Sequence, residues 1–206
     1  MAKIDFKKNM KHLYKPSAKN IVFVDLPAMN FLMIDGKGDP NTAQEYKDSI
    51  EALYAVSYTL KFMIKKGPLA IDYGVMPLEG LWWVDDMSKF SVDDKSGWEW
   101  TSMIMQPDYV TRELVDQAME QAAKKKNPPA LDKLRFESFA EGYSAQILHI
   151  GSFADEGPTI KKLHDSIVEA NYKNIGKHHE IYLSDFRRTV PEKLKTVIRQ
   201  PCRKQT

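Results

Sequence analysis

The sequence has one cysteine, Cys202. A single thiol cannot close an intrachain disulfide, so the core must hold the fold, and the expected compartment is the reducing cytoplasm. Long apolar runs are missing as well. Runs such as Ile21–Val24 and Phe31–Ile34 are strand-sized and far short of a spanning helix, so no membrane partner is expected. The N-terminus reads Met1-Ala-Lys-Ile-Asp-Phe-Lys-Lys, with charges interrupting each apolar pair and no signal-peptide core. An excess of one charge is also lacking. Thirty Lys and Arg against 28 Asp and Glu give a formal net charge of +2, too small to make nucleic acid the main partner. His149, His178 and His179 have no accompanying ligand pair at zincin or finger spacing, so neither a metal nor a cofactor is expected. No serine-centred elbow occurs, which removes the support for serine-hydrolase chemistry.

Aromatic residues are plentiful. Trp82, Trp83, Trp98 and Trp100 fall within nineteen residues, with acids among them. A lone Trp usually packs a core. A cluster of this kind also suits a ligand pocket, which is typically apolar with a few convergent polar groups.

Residues 1–20 form a basic arm carrying Lys3, Lys7, Lys8, Lys11, Lys15 and Lys19, read as mobile or surface-docked, with at most a helical turn. Beyond it, residues 21–206 read as one domain. Strands are expected at 21–26 and 31–34, then a loop with Gly36, Gly38 and Pro40. A helix capped by Asn41 or Thr42 runs to about Lys65, with Tyr46, Ile50, Leu53, Tyr54, Ser57 and Leu60 on one face. Gly67-Pro68 stops it. Further strands are expected at 72–76, 80–84 and 98–106, with a loop over 85–97. A helix capped by Thr111 extends to about Lys126, and a short helix or extended segment covers 131–139. A strand at 142–150, a helix at 159–172, a strand at 179–184 and a helical turn or docked tail at 191–197 complete the chain.

The two halves repeat, one over about 21–126 and the other over about 131–200. Phe31-Leu-Met-Ile-Asp-Gly matches Ile147-Leu-His-Ile-Gly-Ser in pattern. Each strand leads to a loop with an Asp (Asp39, Asp155) and then to a helix with Asp-Ser-Ile, at Asp48-Ser49-Ile50 and Asp165-Ser166-Ile167. The period is too long for a solenoid. The expected fold class is α+β: duplicated units of strand, helix and hairpin, related by a pseudo-twofold. Their antiparallel sheets lie side by side, helices cover one face, and the opposite face is free to form a cleft.

The segments Met76-Pro-Leu-Glu-Gly-Leu-Trp-Trp, His178-His-Glu-Ile-Tyr-Leu-Ser-Asp-Phe-Arg-Arg and Pro191-Glu-Lys-Leu-Lys-Thr-Val-Ile-Arg resemble the GyrI-like small-molecule-binding proteins. The resemblance covers about residues 20–200. It implies paired β-α-β-β (SHS2-type) units with a central pocket for flat, often cationic, aromatic molecules. Many relatives are fused to a helix-turn-helix module. The twenty residues before the first strand are too few for one, so transcriptional regulation is not expected to come with the fold. The chain looks most like a stand-alone branch associated with hydrolysis of cyclopropanoid DNA-alkylating compounds.

The resemblance places the pocket glutamate at Glu180, with Tyr182 as a second catalytic candidate. Trp82, Trp83, Trp98, Trp100, Tyr143 and Glu79 make up the expected ligand-binding set. Alternation puts Glu180 and Tyr182 on one strand face and Ile181 and Leu183 on the other, which the helices are expected to take. Trp82 and Trp83 must point to opposite faces, so only one of them can stack on a ligand. In an apolar aromatic site the Glu180 pKa is expected to be raised. Two functions fit. An enzyme would use Glu180 to activate water against a strained ring, with a Tyr hydroxyl assisting at the carbonyl. A binder would use the same carboxylate as counter-charge to sequester or sense planar cations. The partner is in either case an aromatic small molecule, and the protein itself is expected to be a monomer or weak homodimer.

Overall fold

The computed structural model describes residues 3–87 and 94–205. Part of the expected 85–97 loop therefore lies outside the described residues. The strands are β1 (Val22–Leu26), β2 (Met29–Lys37), β3 (Leu78–Trp83), β4 (Glu99–Gln106), β5 (Arg135–Phe139), β6 (Gly142–Ile150), β7 (Tyr172–Asn174), β8 (His178–Tyr182) and β9 (Lys195–Lys204). The longer helices are α3 (Gln44–Lys66), α4 (Arg112–Lys125) and α5 (Gly157–Glu169). Two single-turn helices, α1 (Phe6–Asn9) and α2 (Lys11–Tyr14), precede them. The sheet order is β1-β6-β9-β8-β3-β4-β2-β5, with β7 paired to β9, and every strand pair is antiparallel.

This order carries the duplication. The first copy is β2-α3-β3-β4 and the second is β6-α5-β8-β9. In each, the last strand lies between the other two, and β3 and β8 join the copies at the centre. The strands holding Phe31 and Ile147 occupy equivalent places, as do α3 with Asp48-Ser49-Ile50 and α5 with Asp165-Ser166-Ile167. The leading strands are exchanged: β1 precedes the first copy but pairs with β6, while β5 precedes the second and pairs with β2. Only Pro27 and Ala28 separate β1 from β2, a link that reaches roughly 11 Å. Because β1 is one edge of the sheet order and β2 stands next to the other edge, the sheet must curl until its edges approach each other.

Register assigns the faces, since directly opposed residues share one. Trp82, Trp100 and His178 stand in one row, and Gly80, Ser102, Glu180 and Ile198 in the next. α3 packs on this face, where Ser49 Oγ donates to Ser102 Oγ at 3.1 Å. α5 packs on the same face, with Leu163 and Ile167 against Ala145, Ile147 and Ile198. The buried stripe of α3 is Ser49, Ala52, Leu53, Val56, Ser57, Leu60 and Ile64, at three-to-four spacing.

Both long helices therefore sit on the Glu180 face, opposite to the expectation that they would take the Ile181 side. Alternation sorts side chains into two faces but does not say which face a helix covers. The inner face of the curl is not an open cleft either. Leu13 and Tyr14 of the N-terminal arm are buried in the core there, so the arm is docked rather than mobile.

Other segments also depart from expectation. Residues 72–76 make only an isolated bridge, Tyr73 to Ile4, instead of a strand. Ala43, not Asn41 or Thr42, is the N-cap of α3. Residues 195–204 form the long strand β9 in the middle of the sheet, where a helical turn or docked tail was expected. Pro201 lies within this strand, although proline is rare inside a sheet. Its missing N–H faces the step between β8 and β7, where its carbonyl still accepts from Ile175 N at 2.9 Å.

Candidate functional site

β8 carries His178, Glu180 and Tyr182 on one face of the sheet, the face on which α3 and α5 pack. Glu180 is 8% exposed. Tyr182 Oη donates to Glu180 Oε2 at 2.7 Å, and His178 Nε2 lies 3.2 Å from Glu180 Oε1. Trp82, Trp98 and Trp100 pack together as a wall, joined by Tyr46 of α3 and by Tyr182. Tyr46 lies 5.5 Å from Trp82 and 5.1 Å from Trp100, ring centre to ring centre, and Trp82 lies 5.3 Å from Trp98. Phe153 meets Tyr182 edge-on at 5.6 Å on the α5 side.

Two glycines make this wall possible. A Cβ at Gly36 would fall 2.2 Å from Trp100 Cη2, and one at Gly80 would fall 2.7 Å from Trp82 Nε1. A glycine inside a strand often marks such a close approach. Gly80 is also the β3 partner of Glu180, so the Trp82 indole lies across the strand beside the carboxylate. The indole N–H groups of Trp82 and Trp100 are buried without a hydrogen-bond partner among the described residues.

The electrostatics differ from the expected raised Glu180 pKa. Burial does push the carboxyl up, but His178, Tyr182 and Lys95 outweigh it and hold Glu180 below the ordinary range. Its neighbour shows the opposite shift. Glu156, the N-cap of α5, is 3% exposed and lies beside Glu180 and Thr196. Burial, and next the Glu180 charge, push the Glu156 carboxyl up to about 10. At neutral pH the site thus holds one ionised and one protonated carboxyl. Burial and then the Glu180 charge raise the Tyr182 and Tyr46 phenols, so both remain protonated donors. Lys95 stands 5.0 Å from the Trp98 ring centre at the rim.

The predicted residues divide clearly. Glu180, Tyr182, Trp82, Trp98 and Trp100 come together. Trp83 points to the other face and carries Lys177 Nζ 3.1 Å from its ring centre. Tyr143 lies on β6 with Phe23 and Tyr172, outside this cluster. Glu79 also faces away from Glu180. It accepts from Tyr14 Oη at 2.9 Å and lies 3.0 Å from His179 Nε2. There the inner face holds a buried ionic network. His179 Nδ1 is 2.9 Å from Glu141, and Arg199 reaches Glu141 at 3.2 Å, Gln146 at 3.0 Å and the Leu13 carbonyl at 2.9 Å. Charges removed from water need this degree of pairing. Among the described residues no group of three or more His, Cys, Asp or Glu side chains can hold a metal ion.

Glu156, His178, Tyr46 and Thr196 were not singled out for this site from sequence. Period two already placed His178 beside Glu180. Glu156 carried no such signal, because an acid at a helix start is commonplace. The equivalent N-cap in the first copy is Ala43.

The GyrI-like small-molecule-binding domain matches residues 19–203 of the chain. The chain belongs to the GyrI-like family. The fold of this GyrI-like protein is shared over its whole length with a hydrolase from Listeria innocua. The two are 41% identical, the match covers 98% of this chain and 100% of that one, and the TM-score is 0.88. An uncharacterized conserved protein from Listeria innocua is equally similar, at 41% identity over the same shares, with a TM-score of 0.90. The C-terminal domain of EcmrR, at 12% identity and a TM-score of 0.56 over 90% of this chain and 98% of that one, shares the fold alone. None of the curated proteins matches. No described helix is long and apolar enough to cross a membrane.

Proposed function

We propose that this GyrI-like protein is a hydrolase that opens the strained ring of a flat cyclopropanoid ligand with water. The observation that carries the reading is an ionised, largely buried Glu180 enclosed by Trp82, Trp98, Trp100, Tyr46 and Tyr182. A flat ligand stacks against the indoles, and Glu180 accepts a proton from a water aligned on the ring carbon. As the ring bond breaks, its electron pair moves to the ligand carbonyl, and aromatisation of the ligand drives the step. The hydrolase from Listeria innocua supports an enzyme over a pure binder.

Sequestration of planar cations is the second reading. It is favoured by the same ionised carboxylate among electron-rich rings, an arrangement that attracts cations. Incubation with a spirocyclopropyl dienone in isotopically heavy water separates the two. The hydrolase yields many equivalents of adduct carrying the heavy oxygen. A binder returns the compound intact on denaturation, and that recovery would remove the enzymatic reading.

A further inference from the structure

One buried polar group beside Glu180 has no part in the reading above. Glu156 enters from the helix side, at the N-cap of α5, while Glu180 rises from the sheet. Glu156 is 3% exposed, and its Oε1 has no hydrogen-bond partner among the described residues. Burying a carboxyl oxygen unpaired is costly, and such groups in native sites usually await a ligand or water. The other groups around Glu180 are already committed: Tyr182 donates to one oxygen and His178 lies against the other.

We infer that Glu156 is a second catalytic carboxyl, the general acid that protonates the ligand oxygen while Glu180 takes the proton of the attacking water. The inference rests on the hydrolase reading and deepens it. Two adjacent carboxyls in a dry site cannot both ionise, so the pair holds one proton between them, and the environments decide where it sits. Here Glu156, which burial and the Glu180 charge push up against the pull of Lys95, keeps it, and Glu180, held by His178 and Tyr182, does not.

The step balances. Water oxygen bonds to the ring methylene, and the carbon–carbon bond of the cyclopropane breaks. Its electron pair moves through the ring to the carbonyl oxygen, which takes the Glu156 proton and becomes a phenol. Glu180 gains the water proton. Passage of that proton from Glu180 to the adjacent Glu156 restores the starting state, and the net reaction is addition of one water. The ligand lies across the pair, with water at Glu180 and its oxygen at Glu156.

The test uses the full chain, a spirocyclopropyl dienone and the variant Glu156→Gln. Gln keeps the shape and an N–H donor but cannot deliver a proton. The expected result is a fall in kcat of about a hundredfold or more with ligand affinity held within a few-fold, and loss of the alkaline limb of the pH profile. A merely structural role would leave that limb in place. In the infrared difference between wild type and Glu156→Gln without ligand, the expected signal at pH 7 is a protonated carboxyl. Turnover and pH profile unchanged in the variant, or absence of the protonated-carboxyl band, overturns the assignment while leaving the hydrolase standing. A wild type with no turnover overturns both.

Discussion

Replacing Glu156 by Gln should stabilise the protein, and the gain should grow with pH. The carboxyl has an ordinary value of 4.5 and is pushed up to about 10 in the fold. Between those values the folded protein keeps a proton that the unfolded chain has lost. The folded state binds more protons, so stability falls as pH rises through this window, by about 1.4 kcal/mol per pH unit. At pH 7, some 2.5 units above the ordinary value, the accumulated penalty is about 3 kcal/mol. That figure requires only that the folded value stay above neutrality. Gln does not titrate and carries no such penalty. Urea unfolding of wild type and Glu156→Gln at half-unit steps from pH 5 to pH 8 isolates the term, because every other titrating group is common to both. The two stability curves should diverge steadily toward alkaline pH, with the variant above. Parallel curves would refute the protonated Glu156 and with it the one-proton carboxyl pair.

Other outcomes follow from the same geometry. Trp82→Phe should weaken ligand binding more than it lowers kcat, as fluorescence titration and steady-state kinetics together will show, because ring contact acts in ground and transition states alike. Gly36→Ala should cost about 1–3 kcal/mol in chemical unfolding, since its Cβ would fall 2.2 Å from Trp100. Glu141→Gln should cost about 3–5 kcal/mol, since it leaves His179 and Arg199 short of a buried counter-charge. Burial pulls the His179 pKa down, but Glu141 and Glu79 together raise it. The stability it contributes is therefore full below its ordinary value of 6.5 and lost as pH rises through the folded value. Glu141→Gln should flatten that part of the pH profile.

The duplication was legible because strand, Asp-containing loop and Asp-Ser-Ile helix recur in order, and the sheet reproduces that order about its centre. The exchange of β1 and β5 was not, since nothing in a five-residue strand names its partner across the sheet. Glu180, Tyr182 and the Trp wall were legible from alternation joined to resemblance. The choice between Trp82 and Trp83 needed the side on which α3 packs, a tertiary fact. Glu79 misled because it stands on the same strand as Trp82 one residue out of phase with it, which sends its side chain to the inner face. Strand β9 was not legible because the turn signal of Pro191 at 191–193 runs straight into it, and nothing local marks where the turn ends and the strand begins. The sign of the Glu180 shift was lost for a related reason: burial was readable, but how closely His178 and Tyr182 approach the carboxylate, and the arrival of Lys95 from a distant segment, were not.

The central claim is that an ionised Glu180 activates water in an aromatic cleft. It is tested most directly by multiple-turnover hydrolysis of a spirocyclopropyl dienone by wild type and Glu180→Gln, with ligand affinity measured in parallel. Gln is nearly isosteric and still hydrogen-bonds a water, but it is no base near neutral pH. The account predicts that Glu180→Gln binds the compound within a few-fold of wild type and forms the water adduct about a hundredfold to ten-thousandfold more slowly. Adduct formation at the wild-type rate by Glu180→Gln would contradict it.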